Sequence, residues 1–259
     1  VSGAAPGLEP GVPLDVLWTG GWDSTFIVLD AALHEGRAVR PHYVVDRRRP
    51  SADRELQTME RIRAGVAARS PEAAARIAPT LVVERTSIPP DDRVDRWYRA
   101  LGARAHVAEQ YPWLSRYART RPAPLALGII RRSGGLRDVI APELEVAAGV
   151  RRLRAEVSDE AFELFRPFVF PTIELSKLDM RDLADARGFR PLLDLSWFCH
   201  QPRRNGAPCG FCPPCHDARH QGMGWRLTTA ARWRGRLVDA LPGETVKRGA
   251  RRLLRATFR

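Results

Sequence analysis

Apolar and polar positions change period repeatedly along the chain, and the changes mark its elements. A short apolar run predicts a strand over Val16–Trp18. It passes through Thr19-Gly20-Gly21 into a helix over Thr25–Leu33 with Phe26, Leu29 and Leu33 on one face. Val39 to Asp46 predicts a second strand, after which Leu56, Met59, Ile62 and Val66 recur at helical spacing up to Pro71. Thr80 to Glu84 predicts a third strand with a β-branched core. Pro89-Pro90-Asp91-Asp92 opens a helix capped by aspartate and carrying Val94, Trp97, Tyr98 and Leu101. In Gln110 to Tyr117 the spacing of Tyr111, Trp113 and Tyr117 fits an amphipathic helix packed on the core better than a surface for stacking a flat base. Ala126 to Ile130 predicts a fourth strand. Alternating strands and helices imply an α/β fold built on a doubly wound parallel sheet, with ligands at the carboxyl ends of the strands.

The Thr19-Gly20-Gly21-Trp22-Asp23-Ser24-Thr25 turn lies at such an end. Adjacent glycines let backbone approach a ligand closely, and the following helix offers free N–H groups and a positive dipole end to an anion. Thr19, Ser24 and Thr25 add hydroxyls. The spacing is neither that of a Walker loop nor that of the dinucleotide fingerprint. Phosphate binding is the reading favoured over a plain Gly-Gly turn. Asp23 is placed to cap the helix that follows the glycines. Asp46, at the end of the second strand, reads either as a nucleotide contact or as a turn residue. Ser176-Lys177-Leu178-Asp179 reads as an N-cap with an acid three residues on, placing Lys177 in a first helical turn. A cation opposes the helix dipole there unless an anion is held nearby.

All four cysteines fall in one segment, Cys199-x9-Cys209-x2-Cys212-x2-Cys215. Two Cys-x-x-Cys steps gather three thiolates on one knuckle, and Cys199 closes a tetrahedron, a structural zinc pattern with no open position. Disulfides are the alternative, as is substitution of a thiolate by His200, His216 or His220. The chain has 259 residues and a net charge of +12. The excess admits a nucleic-acid surface, notably along Ala230–Arg236 and Lys247–Arg252, or reflects an Arg-rich background. No apolar run is long enough to cross a bilayer. The opening residues have neither a charged nor an apolar signal region, so 1–13 reads as a flexible leader and the protein as cytoplasmic.

The Gly-Gly-x-Asp-Ser loop and the cysteine knuckle together resemble the 7-cyano-7-deazaguanine synthases, a family of PP-loop ATP pyrophosphatases. Phe170-Pro-Thr-Ile-Glu-Leu-Ser-Lys177 and Leu195-Ser-Trp-Phe-Cys199 match that family's Thr-Pro-Leu-x-x-x-Lys segment and its Trp-Ser-Cys approach to zinc. The likeness covers about residues 14–60 and 165–220. Thr19 stands where the family has Ser, the knuckle's first gap holds nine residues instead of the usual eight, and the segments that hold the deazapurine have no counterpart.

The resemblance implies an adenine nucleotide alpha hydrolase-like sheet over 14–195 with a helical insertion near 89–120, then a zinc knuckle and basic helices over 196–259. It implies ATP and Mg²⁺ bound by Trp18, Thr19, Gly20, Gly21, Trp22, Asp23, Ser24, Thr25 and Asp46. Catalytic roles fall to Asp23, Ser24 and Lys177, and Zn²⁺ to the four cysteines. The implied reaction adenylates 7-carboxy-7-deazaguanine or a related acid, releases pyrophosphate, and forms an amide or nitrile with ammonia. A homodimer is the expected assembly. The altered middle segment keeps transfer of the acyl group to an acceptor protein open, and the basic tail keeps tRNA modification open. A non-catalytic nucleotide-binding scaffold is the least favoured reading. Arg131-Arg132-Ser133-Gly134-Gly135 is either a further anion contact or a plain turn.

Overall fold

The computed structural model describes residues 11–132 and 135–257. Most of the expected leader, the Ser133-Gly134 pair and the last two residues of the expected C-terminal helices lie outside the described residues. The final leader residues are tied down, since Arg37 Nε donates to the Val12 carbonyl at 3.0 Å.

The chain alternates β1 (Leu14–Leu17), α1 (Trp22–Leu29), β2 (Val39–Val45), α2 (Ala52–Arg69), α3 (Pro71–Ala75) and β3 (Leu81–Glu84). Then come α4 (Asp92–Gly102), α5 (Tyr111–Arg119), β4 (Leu125–Ala126), α6 (Leu136–Ile140), β5 (Leu144–Ala147), β6 (Val150–Leu153) and β7 (Phe168–Val169). Helices α7 (Lys177–Ala186), α8 (Arg190–Leu193), α9 (Pro213–His220), α10 (Thr229–Asp239) and α11 (Glu244–Thr257) complete it. The seven strands form one sheet in the order β3-β2-β1-β4-β7-β6-β5. Chain order runs outward from β1 to β3 and then returns to β1's other side with β4. A topological switch point therefore lies between β1 and β4, where a crevice opens beyond the strand ends.

Period-two alternation in β1 divides the interior. Leu14, Val16 and Trp18 pack with α1, α2, α7 and α8, while Leu17 packs with α4 and α5. Asp15 faces the second side and is buried there. Its carboxylate holds His42 Nε2 at 2.8 Å and Arg40 Nη2 at 2.7 Å, and Tyr117 Oη lies 2.6 Å from His42 Nδ1. Burial works against the charge on Asp15, yet these donors keep its pKa below the usual carboxylate value.

The sheet is parallel from β3 through β7, but β6 runs antiparallel to β7 and β5 antiparallel to β6, which corrects the all-parallel expectation. The cause is local. Ala148 and Gly149 both take positive φ, 49° and 76°, in a two-residue connection that joins only antiparallel neighbours. As an edge strand β3 leaves Leu81 and Val82 more than two-fifths exposed. The expected Ala126–Ile130 strand shrinks to Leu125–Ala126. No helix among the described residues is long and apolar enough to cross a membrane.

Candidate functional site

The loop after β1 opens into a cavity of about 230 Å³ at the switch point. Gly21 occupies the N-cap of α1 and no side chain caps the helix, so its first-turn N–H groups keep their affinity for an anion. Internal bonds in this turn are few and long. Gly21 N donates to Thr19 Oγ1 at 3.3 Å, and Thr19 N to Ser24 Oγ at 3.4 Å. Thr19, Gly21, Trp22, Asp23 and Ser24 all line the cavity.

The other residues expected to bind nucleotide are held differently. Trp18 is fully buried and donates from Nε1 to Thr25 Oγ1 at 3.0 Å, so both side chains staple β1 to α1 within the core. Gly20 backs onto α2. A Cβ there would meet the Glu55 carbonyl and Thr58 Cγ2 at 3.2 Å, and its carbonyl accepts Trp197 N at 2.8 Å. Asp46 does line the cavity, but Arg85 Nη1 holds one oxygen at 2.7 Å and Arg48 the other at 3.1 Å. Its charge is already answered, as suits a residue ending a strand.

Asp23 belongs to the first turn of α1 and is not its cap. Its Oδ1 is buried without a hydrogen-bond partner, and Lys177 Nζ stands 3.7 Å away, close enough for an ion pair. Burial raises the Asp23 pKa, against the opposing pull of Lys177 and Arg226. Gly128, just past β4, closes this corner, because a Cβ there would come within 3.1 Å of Asp23 Cβ. Lys177 arrives through a capping box: Ser176 Oγ accepts Asp179 N at 3.1 Å, and Asp179 accepts Ser176 N at 2.7 Å. Loop and lysine thus meet at one corner of the cavity.

Arg49, Glu55, Gln110, Trp113, Phe198 and His200 also line the cavity, and of these the sequence singles out only Trp113 and His200. Glu55 accepts Ser51 Oγ at 2.7 Å and Tyr43 Oη at 2.8 Å, and burial raises its pKa. Burial lowers His200 to a pKa of about 4, with Arg49 adding to the effect, so it is neutral at pH 7. Of the aromatic trio, only Trp113 reaches the cavity. Tyr117 holds His42, and Tyr111 packs edge-on to Phe165. Arg131 and Arg132 are ion-paired to Asp179 and Asp217 and line no part of it.

The four cysteines are all buried and free of disulfides. Their sulfurs lie within 4.8 Å of one another, with Cys199–Cys212 at 3.8 Å and Cys209–Cys215 at 3.9 Å. Sulfurs about 2.3 Å from a tetrahedral zinc stand about 3.8 Å apart, whereas a disulfide needs about 2.05 Å. Backbone N–H groups of Gln201, Cys209 and Cys212 donate to the cluster's sulfurs at 3.2–3.4 Å. Interactions among the thiols lower Cys209 and raise Cys212 and Cys215, since so many thiolates cannot share one pocket without a cation. This is a donor set able to hold a metal such as zinc. None of the three candidate histidines belongs to it.

Helix α10 lies directly on the knuckle. Gly210 has φ +92°, and a Cβ there would sit 2.1 Å from the Ala231 carbonyl. Gly210→Ala is expected to cost roughly 2–4 kcal/mol through backbone strain and overpacking. Thermal denaturation checks it, and an unchanged Tm would show that α10 does not dock there. No family model, curated protein or solved structure matches the chain.

Proposed function

We propose that the protein is an ATP pyrophosphatase that activates a carboxylate as its adenylate and passes the acyl group to an amine. One observation carries this reading: at the β1–β4 switch point an uncapped helix N-terminus, the partnerless Asp23 Oδ1 and Lys177 converge on one cavity. Polyphosphate and magnesium fit these groups. Backbone N–H groups of α1 and the hydroxyls of Thr19 and Ser24 would receive the phosphates, Lys177 would offset their charge, and Asp23 would hold the ion. Bound magnesium would neutralise phosphate charge.

The substrate carboxylate attacks the α-phosphorus, the bond to the bridging oxygen breaks, and pyrophosphate leaves. The amine then attacks the acyl carbon, loses a proton and expels AMP. Such a reaction asks for alignment and charge compensation more than for a protein nucleophile. Elsewhere in the lining Arg49 supplies a cation for an acid, and Trp113 and Phe198 supply flat faces. The likeness to 7-cyano-7-deazaguanine synthases makes 7-carboxy-7-deazaguanine the first acid to test and ammonia the first amine. The absent deazapurine segments leave a protein amine as the alternative acceptor. Trp233, well exposed on α10 with Arg236 over its ring, favours a tRNA substrate as the second reading.

Protein incubated with Mg-ATP, 7-carboxy-7-deazaguanine and ammonia is expected to release AMP and pyrophosphate, with the amide or nitrile detected by mass spectrometry. ADP in place of AMP would overturn the chemistry. AMP formed only on adding tRNA or an acceptor protein would keep the adenylate and replace the acceptor.

A further inference from the structure

Away from the cavity and the four cysteines, a second group of ligand atoms has no task in the chemistry above. His216 and His220 stand one turn apart on α9, with ring centroids 4.1 Å apart on one face. The end of α10 brings Asp239 against both: Oδ1 lies 3.8 Å from His216 Nε2, and Oδ2 lies 3.4 Å from His220 Nε2. One ligand atom from each residue falls within a 4.8 Å set. Ligands about 2.1 Å from a tetrahedral ion stand about 3.4 Å apart, so small rotations of these side chains would close the site.

His220 Nε2 is hydrogen-bonded to Asp239 Oδ2, whereas His216 is not committed to either neighbouring acid. His216 faces carboxylates at both ring nitrogens, Asp239 at Nε2 and Asp217 at Nδ1, each at 3.8 Å and so beyond hydrogen-bond length. A metal-bound imidazole turns one nitrogen to the ion and donates from the other to an orienting acid, and a small rotation of His216 would bring it to that arrangement. Arg219 Nη2 fixes Asp239 through Oδ2 at 2.6 Å, leaving Oδ1 toward His216. Arg219 also bonds the Gly210 and Cys215 carbonyls, so the same carboxylate is wired to the knuckle. His216 and His220 are 41% and 58% exposed, which leaves room for water in a remaining position.

We propose that His216, His220 and Asp239 form a second, exchangeable site for a divalent first-row transition ion of the zinc type, clamping α10 to α9. Two imidazoles and one carboxylate suit such an ion, and an open, partly exposed set binds it less firmly than four buried thiolates. This site is independent of the chemistry assigned to the cavity.

The test is a Co²⁺ titration of the tag-free protein as purified, followed by absorbance, with Zn²⁺ added afterwards to displace the ion. The expected result is one Co²⁺ equivalent with weak d–d bands and no thiolate charge-transfer band, displaced by Zn²⁺. That equivalent should be lost in both His216→Ala and His220→Ala. Absence of a thiolate-free equivalent in the wild-type protein, or its persistence in either variant, would overturn the proposal.

Discussion

Replacing Asp23 with Asn is expected to lower AMP formation by about 10²–10³-fold, the scale of losing one charged group from a preorganised site. The fold is expected to survive unharmed, because the wild-type carboxylate is itself a burden on stability. Burial raises its pKa above 3.8, so between the unfolded and folded values the native state binds more protons than the unfolded one. Stability attributable to this group therefore falls as pH rises through that interval and stays reduced above it. Asn keeps the shape and removes the ionisation. Its Tm should equal or exceed wild type at neutral pH, and the difference should vanish below about pH 4, where both states are protonated. AMP release and thermal denaturation at both pH values decide the matter. Normal activity with a lowered Tm would make Asp23 a structural residue and remove it from the site.

The lysine partner explains why such a cost persists. Lys177 stands 3.7 Å from Asp23 Oδ1, near enough to temper the charge and too far to satisfy the oxygen by a hydrogen bond.

Where a signal was local, the chain could be read. Asp91 caps α4 by accepting Arg93 N and Val94 N, and the Ser176/Asp179 capping box sets Lys177 at the start of α7, as their spacing predicts. The β1–α1 turn and the cysteine cluster likewise formed where their residues indicated. Failures came from facts that only tertiary structure supplies. The β-branched run Leu81–Glu84 reads as a strand, but its place at the sheet edge, open to solvent, follows only from the strand order. Ala148-Gly149 lacks the Asn-Gly or Asp-Gly that usually announces a two-residue hairpin, so β5 and β6 went unread. Trp18 and Thr25 flank the loop in sequence yet bond each other inside the core. The cavity lining combines Arg49 and Trp113 with Phe198 and His200, from segments whose proximity no spacing encodes.

Replacing Cys212 with Ser is expected to abolish metal uptake by the four-cysteine cluster and to destabilise the protein by about 4 kcal/mol or more, the range reached when a structural metal is lost. Cys212 has more than one task. Its Sγ lies 3.8 Å from Cys199 Sγ, its N–H donates to Cys209 Sγ at 3.3 Å, and it is the N-cap of α9. The buried cysteines share one apolar cluster with Val16, Trp18 and Phe26, so the damage should reach beyond the knuckle. It should also reach the cavity, because Trp197, two residues before Cys199, anchors its N–H on the Gly20 carbonyl at 2.8 Å. AMP formation should fall together with Tm, unlike the separation expected for Asp23→Asn. Metal analysis and thermal denaturation, each with and without reductant, test the idea. Reductant should leave the wild-type Tm unchanged, since sulfurs 3.8 Å apart are not joined to each other. A wild-type protein free of metal whose Tm drops on reduction would make the cysteines disulfide partners, and a Cys212→Ser variant with full metal content would take Cys212 out of the cluster's ligand set.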